Sequence, residues 1–416
     1  MKFDNTKVDT VVIGAGQAGI AMSEHLSAHD ISHVVLERDR IAERWRTQRW
    51  DSLVANGPAW HDRFPGLEFT DFDKDSFVSK DAIAAYFEKY AEKFSAPVHT
   101  GVEVTQVTPI KNSAGFLVET SQGTIITQRV VSATGAFQLP SIPAIVPDEE
   151  VDQIHSSQYR NPQQLNNGAV LVVGSGSSGV QIAKELRQSG KEVFLSVGPH
   201  DRPPRAYRGK DFVWWLGVLG KWDEAAMKPG LEHVTIAVSG AEGGKTVDFR
   251  ELAHDEITLL GRTETFNQGV LTFTNDLNRN IAQGDENYLS LLDEADAYIE
   301  RNGLDFPQEP QARIRLDDPA CMTSPVLSLN LKQNNITNII WATGFNVDYS
   351  WLKCDVLDER GYPVHQRGIS PVRGVYFLGL PWLSRRGSTF IWGVWHDAKY
   401  IADHIDTQRS YEDYAL

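Results

Sequence analysis

The sequence predicts an α/β protein of two units, each built on a parallel β-sheet, with a β-meander beside the first and an inserted segment in the second. Two stretches carry this prediction, VVIGAGQAG near the amino terminus and VLVVGSGSSG from Val170. Each has an apolar run, a glycine-rich turn and a helix-length segment, the order of strand, turn and helix in a Rossmann-like, dinucleotide-binding domain. A chain of 416 residues is long enough for two such domains.

The glycines of the first unit have separate expected roles. Gly14 makes the tight turn, Gly16 lets the backbone approach a pyrophosphate, and Gly19 lets helix and strand pack closely. The helix that follows offers unpaired N–H groups and its positive dipole end to phosphate. Glu37 stands about twenty residues further on, where a carboxylate accepts hydrogen bonds from ribose hydroxyls. We therefore predict nucleotide binding here, with an ordinary tight turn as the alternative.

The second unit repeats the turn but differs at the end of its next strand. Its glycines are Gly174, Gly176 and Gly179. No carboxylate sits at the end of that strand, and the loop after it carries Arg202, Arg205 and Arg208. Arginines suit a 2′-phosphate through bidentate, charge-assisted bonds, so NADPH is favoured here and NADH is possible. A solvated basic loop is the alternative. Two sites of different preference indicate FAD in the first unit and NADPH in the second.

Charge and cysteine content disfavour several classes of partner. A formal net charge of −15 argues against nucleic acid and anionic membrane, since both need a basic surface. No apolar run approaches the roughly 20 residues of a membrane span, and the polar amino terminus runs into a strand, so we expect a cytoplasmic protein. Cys321 and Cys354 lie far apart, whereas disulfide reductases relay electrons through a close pair. No metal-ligand cluster stands out.

The rest of the chain predicts two domains of unequal composition. We expect residues 1–165 with 325–416 to form an FAD-binding domain, and 166–324 an NAD(P)-binding domain with an insertion at about 209–310. The first domain has a Trp- and Arg-rich loop after Glu37, a helix in SKDAIAAYFEKYAEKF and a β-meander ending at SATG. Residues from about 140 to 167 look like a linker. The insertion contains a helix that ends at Gly303.

The motifs GAGQAG, GSGSSG, SATG and WATGF, in this order, resemble those of the flavin-containing monooxygenase superfamily, including its indole-pyruvate monooxygenase relatives. The resemblance implies that Thr134 lies near FAD and that Thr343 and Gly344 lie near the crossing between domains. A family signature in the linker is half kept, with His155 and Tyr159 present. We expect His155 to be a linker residue and not a catalyst.

The segment SLVANGP resembles the superfamily segment that brings an asparagine to the reactive edge of the flavin, which makes Asn56 the catalytic candidate. A neutral amide there can donate to a developing peroxide without supplying a strong acid; an Asn-Gly turn is the alternative. Trp45 resembles the tryptophan that packs near the flavin ring. Neighbours of these motifs complete the expected cofactor contacts, at Gln17, Ala18, Arg38, Val104, Ser177 and Ser178.

The resemblance implies an FAD-dependent NAD(P)H monooxygenase. NADPH would reduce FAD, and the reduced flavin would form a C4a-hydroperoxide with O2 that passes one oxygen atom to a small organic substrate, at nitrogen, sulfur or a ketone. A dry site would protect that intermediate. Two alternatives use the same nucleotide sites, an NAD(P)H oxidase or flavin-dependent dehydrogenase without oxygen insertion, and a non-catalytic FAD/NADP-binding sensor. The sequence predicts neither the substrate's identity nor the oligomeric state.

Overall fold

The computed structural model describes residues 3–225 and 235–415. Its first sheet contains β1 (Thr6–Ile13), β2 (His33–Glu37), β3 (Val98–Thr100), β4 (Val104–Pro109), β5 (Phe116–Thr120) and β6 (Gly123–Ser132). The order is β3-β2-β1-β6-β5-β4, and a strand at Val375–Phe377 also pairs with β6. Strands β3, β2, β1 and β6 run parallel, and β4 to β6 form an antiparallel meander. The predicted β-meander is confirmed.

The second sheet is parallel throughout. Its strands are β7 (Asp152–His155), β8 (Ala169–Val173), β9 (Val193–Ser196), β10 (Ile257–Leu260) and β11 (Ile336–Trp341). They lie in the order β10-β9-β8-β11-β7. All five residues of β8 are buried, as expected for a parallel strand covered on both faces. The predicted α/β class with parallel sheets is therefore confirmed.

Helices cover both sheets. Along the described chain they are α1 (Gln17–Ala28), α2 (Glu43–Thr47), α3 (Lys80–Lys93), α4 (Ser177–Gln188), α5 (Phe212–Val218), α6 (Phe249–His254), α7 (Leu277–Asn302), α8 (Ala320–Thr323) and α9 (Ile391–Ala415). The helix predicted in SKDAIAAYFEKYAEKF is confirmed as α3, which buries Ile83, Tyr86, Phe87 and Tyr90 at helical spacing. Gly303 ends α7 in the left-handed conformation, with φ of 60°, as its position predicted.

Two strands of the second sheet lie outside the range expected for that unit, and a third lies within its expected insertion. β7 falls within the expected linker, β11 lies beyond residue 324, and β10 lies within the expected insertion. The boundaries at 165/166 and 324/325, and the insertion at 209–310, therefore do not follow the sheet. The reason is parallel hydrogen bonding between neighbours that are distant along the chain. The extent of each cofactor-binding domain stays a prediction.

Candidate functional site

A cavity of about 620 Å³ lies at the carboxyl end of β1, beside the first glycine turn. The cofactor contacts expected from the sequence that line it are Gly14, Gly16, Gln17, Ala18, Glu37, Arg38, Trp45, Val104 and Thr134. These residues come from two strands, two helices and the turns that follow β1, β2 and β6, and the parallel arrangement of β1, β2 and β6 brings them together. The volume of the cavity lies within the range of about 300 to 1,000 Å³ that is typical of sites for small ligands and cofactors.

The first glycine turn has the geometry that a dinucleotide requires. Gly14 has φ of 104°, and a Cβ there would lie 2.8 Å from the Ala133 carbonyl oxygen. A Cβ on Gly19 would lie 1.8 Å from the Gly14 oxygen, so helix and strand approach as closely as predicted. Gly16 begins α1 without a side-chain cap, and a Cβ there would meet nothing within 4 Å. Open space in front of uncapped helix amides fits a pyrophosphate.

Glu37 closes the turn and also faces the cavity. Its Oε2 accepts the Ala15 N–H at 2.8 Å and its Oε1 accepts the Asp39 N–H at 3.0 Å. A carboxylate has about four acceptor positions, so two remain for ribose hydroxyls. The expected contact with ribose is sterically available and stays a prediction.

Arg44, Arg49 and Phe137, which the motifs did not single out, form one wall of the cavity together with Trp45. The Arg49 guanidinium lies 5.7 Å from the Trp45 ring centre and 5.3 Å from that of Phe137. Burial, with a smaller effect from the charge of Arg44, lowers the pKa of Arg49 to about 10. Both arginines belong to the segment RWRTQRW, and its richness in Arg and Trp was the feature of the sequence that pointed to them. Their charge suits the phosphates of a bound dinucleotide.

The carboxyl-terminal part of the chain also reaches this cavity. Thr389, two residues before α9, lines the cavity together with Gly379. Its carbonyl oxygen accepts a hydrogen bond from Gln17 Nε2 at 2.7 Å. On the neighbouring wall, Thr134 accepts a hydrogen bond from Gln138 Nε2 at 3.0 Å. The beginning of α9 therefore lies beside the first glycine turn.

The second glycine turn repeats the backbone geometry of the first. Gly174 has φ of 118°, and a Cβ there would lie 2.4 Å from the Ala342 oxygen. A Cβ on Gly179 would lie 1.8 Å from the Gly174 oxygen. The turn and the close helix packing are therefore built in the same way at both places.

The two turns differ in what lies before the helix. Residues 235–238, here called the covering segment, lie across the first turn of α4. The Ile236 carbonyl oxygen accepts hydrogen bonds from both the backbone nitrogen and the Oγ of Ser177, each at 2.9 Å. A Cβ on Gly176 would lie 2.8 Å from Thr235 Cγ2. A nucleotide phosphate therefore fits at Ser177 and its neighbour Ser178 only when the covering segment moves.

The arginines expected to meet a 2′-phosphate are buried in ion pairs. Arg202 Nε donates to Asp285 at 3.0 Å, and its side chain is 6% exposed. Arg205 Nε donates to Asp211 at 3.0 Å, and its side chain is 4% exposed. Because both guanidinium groups are themselves almost fully buried, neither is exposed to a ligand, and separating such a buried pair is costly. The geometry therefore does not favour Arg202 and Arg205 as phosphate contacts.

Asn56 lies outside the lining of the large cavity, at the junction of the two units. Its Oδ1 accepts a hydrogen bond from Gln181 Nε2 of α4 at 3.0 Å, and its backbone oxygen accepts one from Arg205 Nη1 at 2.6 Å. The next residue, Gly57, donates its N–H to Asp62 Oδ2 at 3.0 Å. The sequence resemblance singled out Asn56 but gave no signal for these partners, which are distant along the chain.

Thr343 and Gly344 lie where two chain segments run side by side. Thr343 Oγ1 donates to the Ser141 oxygen, and the Ser141 N–H donates to the Gly344 oxygen at 3.0 Å. His155 Nε2 lies 2.9 Å from the same Gly344 oxygen. Burial lowers the pKa of His155, so the ring is neutral and Nε2 carries the donated hydrogen. His155 therefore holds the WATGF turn.

The two cysteines do not form a disulfide. Cys321 and Cys354 are both free, and burial raises the pKa of the Cys354 thiol to about 11, so that thiol is a poor nucleophile.

Across residues 3–225 and 235–415, no group of three or more His, Cys, Asp or Glu has the arrangement of a metal site. Within the same ranges, no helix is both long and apolar enough to cross a membrane.

Comparisons with known proteins agree with this architecture. Residues 11–207 match the pyridine nucleotide-disulphide oxidoreductase family. An uncharacterized CzcO-like oxidoreductase of Geobacillus kaustophilus is 35% identical, with 96% of this chain and 98% of the relative covered. The probable indole-3-pyruvate monooxygenase YUCCA4 of Arabidopsis thaliana is 30% identical over 96% of this chain and 90% of the relative. A flavin-containing monooxygenase from Stenotrophomonas maltophilia has the same fold, with a TM-score of 0.66, 18% identity, and 97% and 99% of the two chains covered.

The two sheets of parallel strands, one of them extended by a meander, the paired glycine turns and these relatives define a flavoprotein oxidoreductase that works with a flavin and a nicotinamide cofactor. Within that class, the chain belongs to the flavin-containing monooxygenase superfamily.

Proposed function

We propose that the protein is an NADPH-dependent FAD monooxygenase that transfers one oxygen atom from O2 to a small organic substrate, through the flavin C4a-hydroperoxide that the superfamily resemblance implies. The observation that carries the proposal is the open first turn. Gly16 faces free space at an uncapped helix end, beside a cavity of about 620 Å³ with Glu37 at the end of β2. When bound there, FAD would supply the redox chemistry.

The first unit's residues would bind and orient the flavin nucleotide. The backbone N–H groups at the beginning of α1, next to Gly16, would bind the pyrophosphate, and Glu37 would accept hydrogen bonds from the ribose hydroxyls. Trp45 and Arg49 would pack beside the cofactor, and Arg49 would offset phosphate charge. This assignment is supported by their common position around one cavity.

The nicotinamide nucleotide would bind at the second turn after the covering segment has moved. For the 2′-phosphate we propose Arg262 in place of Arg202 and Arg205. Arg262 follows β10, its side chain is 54% exposed, and its Cγ lies 3.5 Å from the position of a Cβ on Gly198, two residues after β9. The end of the second strand is where a 2′-phosphate is recognised in this kind of domain. Arg262 also pairs with Asp276 at 2.8 Å, which holds its side chain at this edge.

The chemistry of the proposal divides between the cofactor and this chain. Asn56 would donate an amide hydrogen where negative charge develops on oxygen, without transferring a proton. The two units would exclude water from the space between the cofactors. The substrate would be a small molecule with a nitrogen, a sulfur or a ketone to oxidise.

The test is anaerobic reduction of the purified holoenzyme, with NADPH in one experiment and NADH in another. The reduced enzyme is then mixed rapidly with O2. The flavin spectrum and the yield of hydrogen peroxide are recorded, and labelled ¹⁸O2 is used with panels of amines, sulfides and ketones. A delayed return of the oxidised flavin spectrum, with one labelled oxygen atom in a product, is expected. Immediate reoxidation with one equivalent of peroxide and no labelled product would identify an oxidase instead.

A further inference from the structure

Asn56 belongs by sequence to the first unit, but its side chain is held by the second. Gln181 lies on α4, one turn after the second glycine turn, and its Nε2 donates to Asn56 Oδ1 at 3.0 Å. The same nitrogen donates to the Val238 carbonyl oxygen at 2.9 Å. Gln181 thereby joins the catalytic candidate to the covering segment.

These two contacts determine which way the Asn56 amide points. A backbone carbonyl can only accept a hydrogen bond, so the Gln181 atom that faces Val238 must be the nitrogen. A nitrogen donor in turn requires an acceptor in the Asn56 side chain, so Oδ1 faces Gln181. The Asn56 amide hydrogens therefore point away from Gln181.

The backbone on either side of Asn56 is fixed as well. Arg205 Nη1 holds the Asn56 oxygen at 2.6 Å, while Asp62 Oδ2 accepts the Gly57 N–H at 3.0 Å. A Cβ on Gly240 would lie 2.1 Å from the Ala55 oxygen, so the loop after the covering segment packs directly on the preceding residue. The backbone around Asn56 is thus held at three points, so the side-chain amide can still change only its orientation. The hydrogen bond from Gln181 fixes that orientation.

We propose that Gln181 is the positioning residue for Asn56, and that it sets the direction of the Asn56 amide according to the position of the covering segment. The covering segment is held by Ser177 at the same helix end where a nicotinamide nucleotide would bind. Movement of Val238 when a nucleotide binds releases or redirects Gln181, and with it Asn56. The inference rests on the proposed function of Asn56.

The test compares Gln181→Met with Gln188→Met in the FAD-loaded enzyme. Methionine keeps the length of glutamine but neither donates nor accepts as an amide does. Gln188 is an exposed residue near the end of the same helix, and its amide bonds Glu242. Loss of one oriented hydrogen bond corresponds to about a tenfold effect. We expect Gln181→Met to lower the ratio of oxygenated product to released peroxide about tenfold, and Gln188→Met to leave it within twofold.

A double substitution separates positioning from general damage. If Gln181 acts through Asn56, the ratio in Asn56→Ala with Gln181→Met equals that in Asn56→Ala alone. A further tenfold loss in the double variant would overturn the proposal, and so would an unchanged ratio in Gln181→Met.

Amide hydrogen exchange gives a second readout that does not depend on turnover. The N–H groups of Ala55 and Gly57 are hydrogen-bonded, at 2.7 Å to Val78 and 3.0 Å to Asp62. Addition of NADP⁺ is expected to change exchange in peptides spanning residues 53–60 of the wild-type enzyme, and this response is expected to disappear in Gln181→Met but not in Gln188→Met. A response that survives Gln181→Met would overturn the proposal. If the wild type makes no oxygenated product, the proposed function fails. The exchange result still decides whether Gln181 connects nucleotide binding to the segment around Asn56.

Discussion

The carbonyl oxygen of Ile236 lies 2.9 Å from both the backbone nitrogen and the Oγ of Ser177, so the chain itself uses the helix end that a nucleotide phosphate would use. The first glycine turn has no such cover, since Gly16 faces open space. Two turns of the same sequence pattern therefore differ in accessibility. A ligand that binds only the open arrangement has its affinity reduced by the fraction of molecules that are closed.

Substitution of Ser177 by Ala should loosen the covering segment. The change removes the Oγ that donates to Ile236 and accepts the Val238 N–H at 3.3 Å, but it keeps the Ser177 N–H that a phosphate would use. We expect the Kd for NADP⁺ to fall about threefold to tenfold, since the weakened contacts are ordinary hydrogen bonds. Calorimetric titration of the FAD-loaded enzyme measures it. Weaker binding would contradict this prediction and would make the hydroxyl itself a phosphate ligand.

Substitutions at Gly16 and Gly19 should separate cofactor binding from folding. Gly16 has φ of −81° and room for a Cβ, so Gly16→Ala should leave the free energy of unfolding of the apoprotein nearly unchanged. The added methyl group would stand where the backbone meets the pyrophosphate, and the Kd for FAD should rise at least about tenfold. Fluorescence titration with FAD and urea unfolding measure the two quantities.

Gly19→Ala is the matched comparison for that prediction. Its Cβ would lie 1.8 Å from the Gly14 oxygen, which forces the helix from the strand and should lower the free energy of unfolding by about 1 to 3 kcal/mol. Equal loss of stability in both variants would show that Gly16 serves packing and would remove the main support for the flavin site.

The sequence predicted the parts of the site that depend on local backbone geometry. Gly14 and Gly19 are recognisable because a turn with positive φ and a close helix approach require glycine at fixed spacing. Glu37 follows from the same strand–helix–strand unit. Nine of the expected contacts consequently lie around one cavity.

Features set by contacts between distant segments could not be predicted in this way. The pairing of Arg202 with Asp285 depends on how α7 packs, and the residues near Arg202 in the sequence do not identify Asp285 as its partner. The composition of residues 140–167, rich in Pro, Gln and Asn, predicts a linker, whereas β7 within it joins the sheet through its pairing with the distant β11. The covering segment likewise acquires its place from contacts with Ser177, Gln181 and the backbone of Asp201, all of which are distant from it along the chain.

Arg262 offers a test of nucleotide preference. If it meets the 2′-phosphate, Arg262→Ala should raise the KM for NADPH about tenfold and change that for NADH less than twofold, because only NADPH carries the phosphate. Steady-state oxidation of both nucleotides measures the ratio. Arg315→Ala is the control, since Arg315 is 60% exposed and pairs with Asp318 at 3.9 Å. An equal change for both nucleotides would exclude Arg262 from recognising the 2′-phosphate.

The stability of the fold should depend on pH through His25, on the face of α1 that meets α9. Its Nε2 lies 3.1 Å from the Trp395 oxygen, and burial lowers its pKa from 6.5 to about 4, with Lys399, Asp403 and His29 as the nearby charges. Because the folded pKa lies below the unfolded one, the unfolded chain takes up the proton first. The free energy of unfolding should therefore fall as the pH drops from about 6.5 to about 4, by at most about 1.4 kcal/mol per pH unit from this group.

Substitution His25→Gln removes the titrating ring while its amide can still donate to the Trp395 oxygen. Urea unfolding at pH 7, 6 and 5 should show a shallower loss of stability in this variant than in the wild type. Other groups that titrate in this range are common to both proteins, so the difference in slope isolates His25. The exposed His254, at the end of α6, provides the control His254→Gln, whose slope should match the wild type. Identical slopes in His25→Gln and the wild type would mean that His25 keeps an ordinary pKa, and that water reaches the α1–α9 contact.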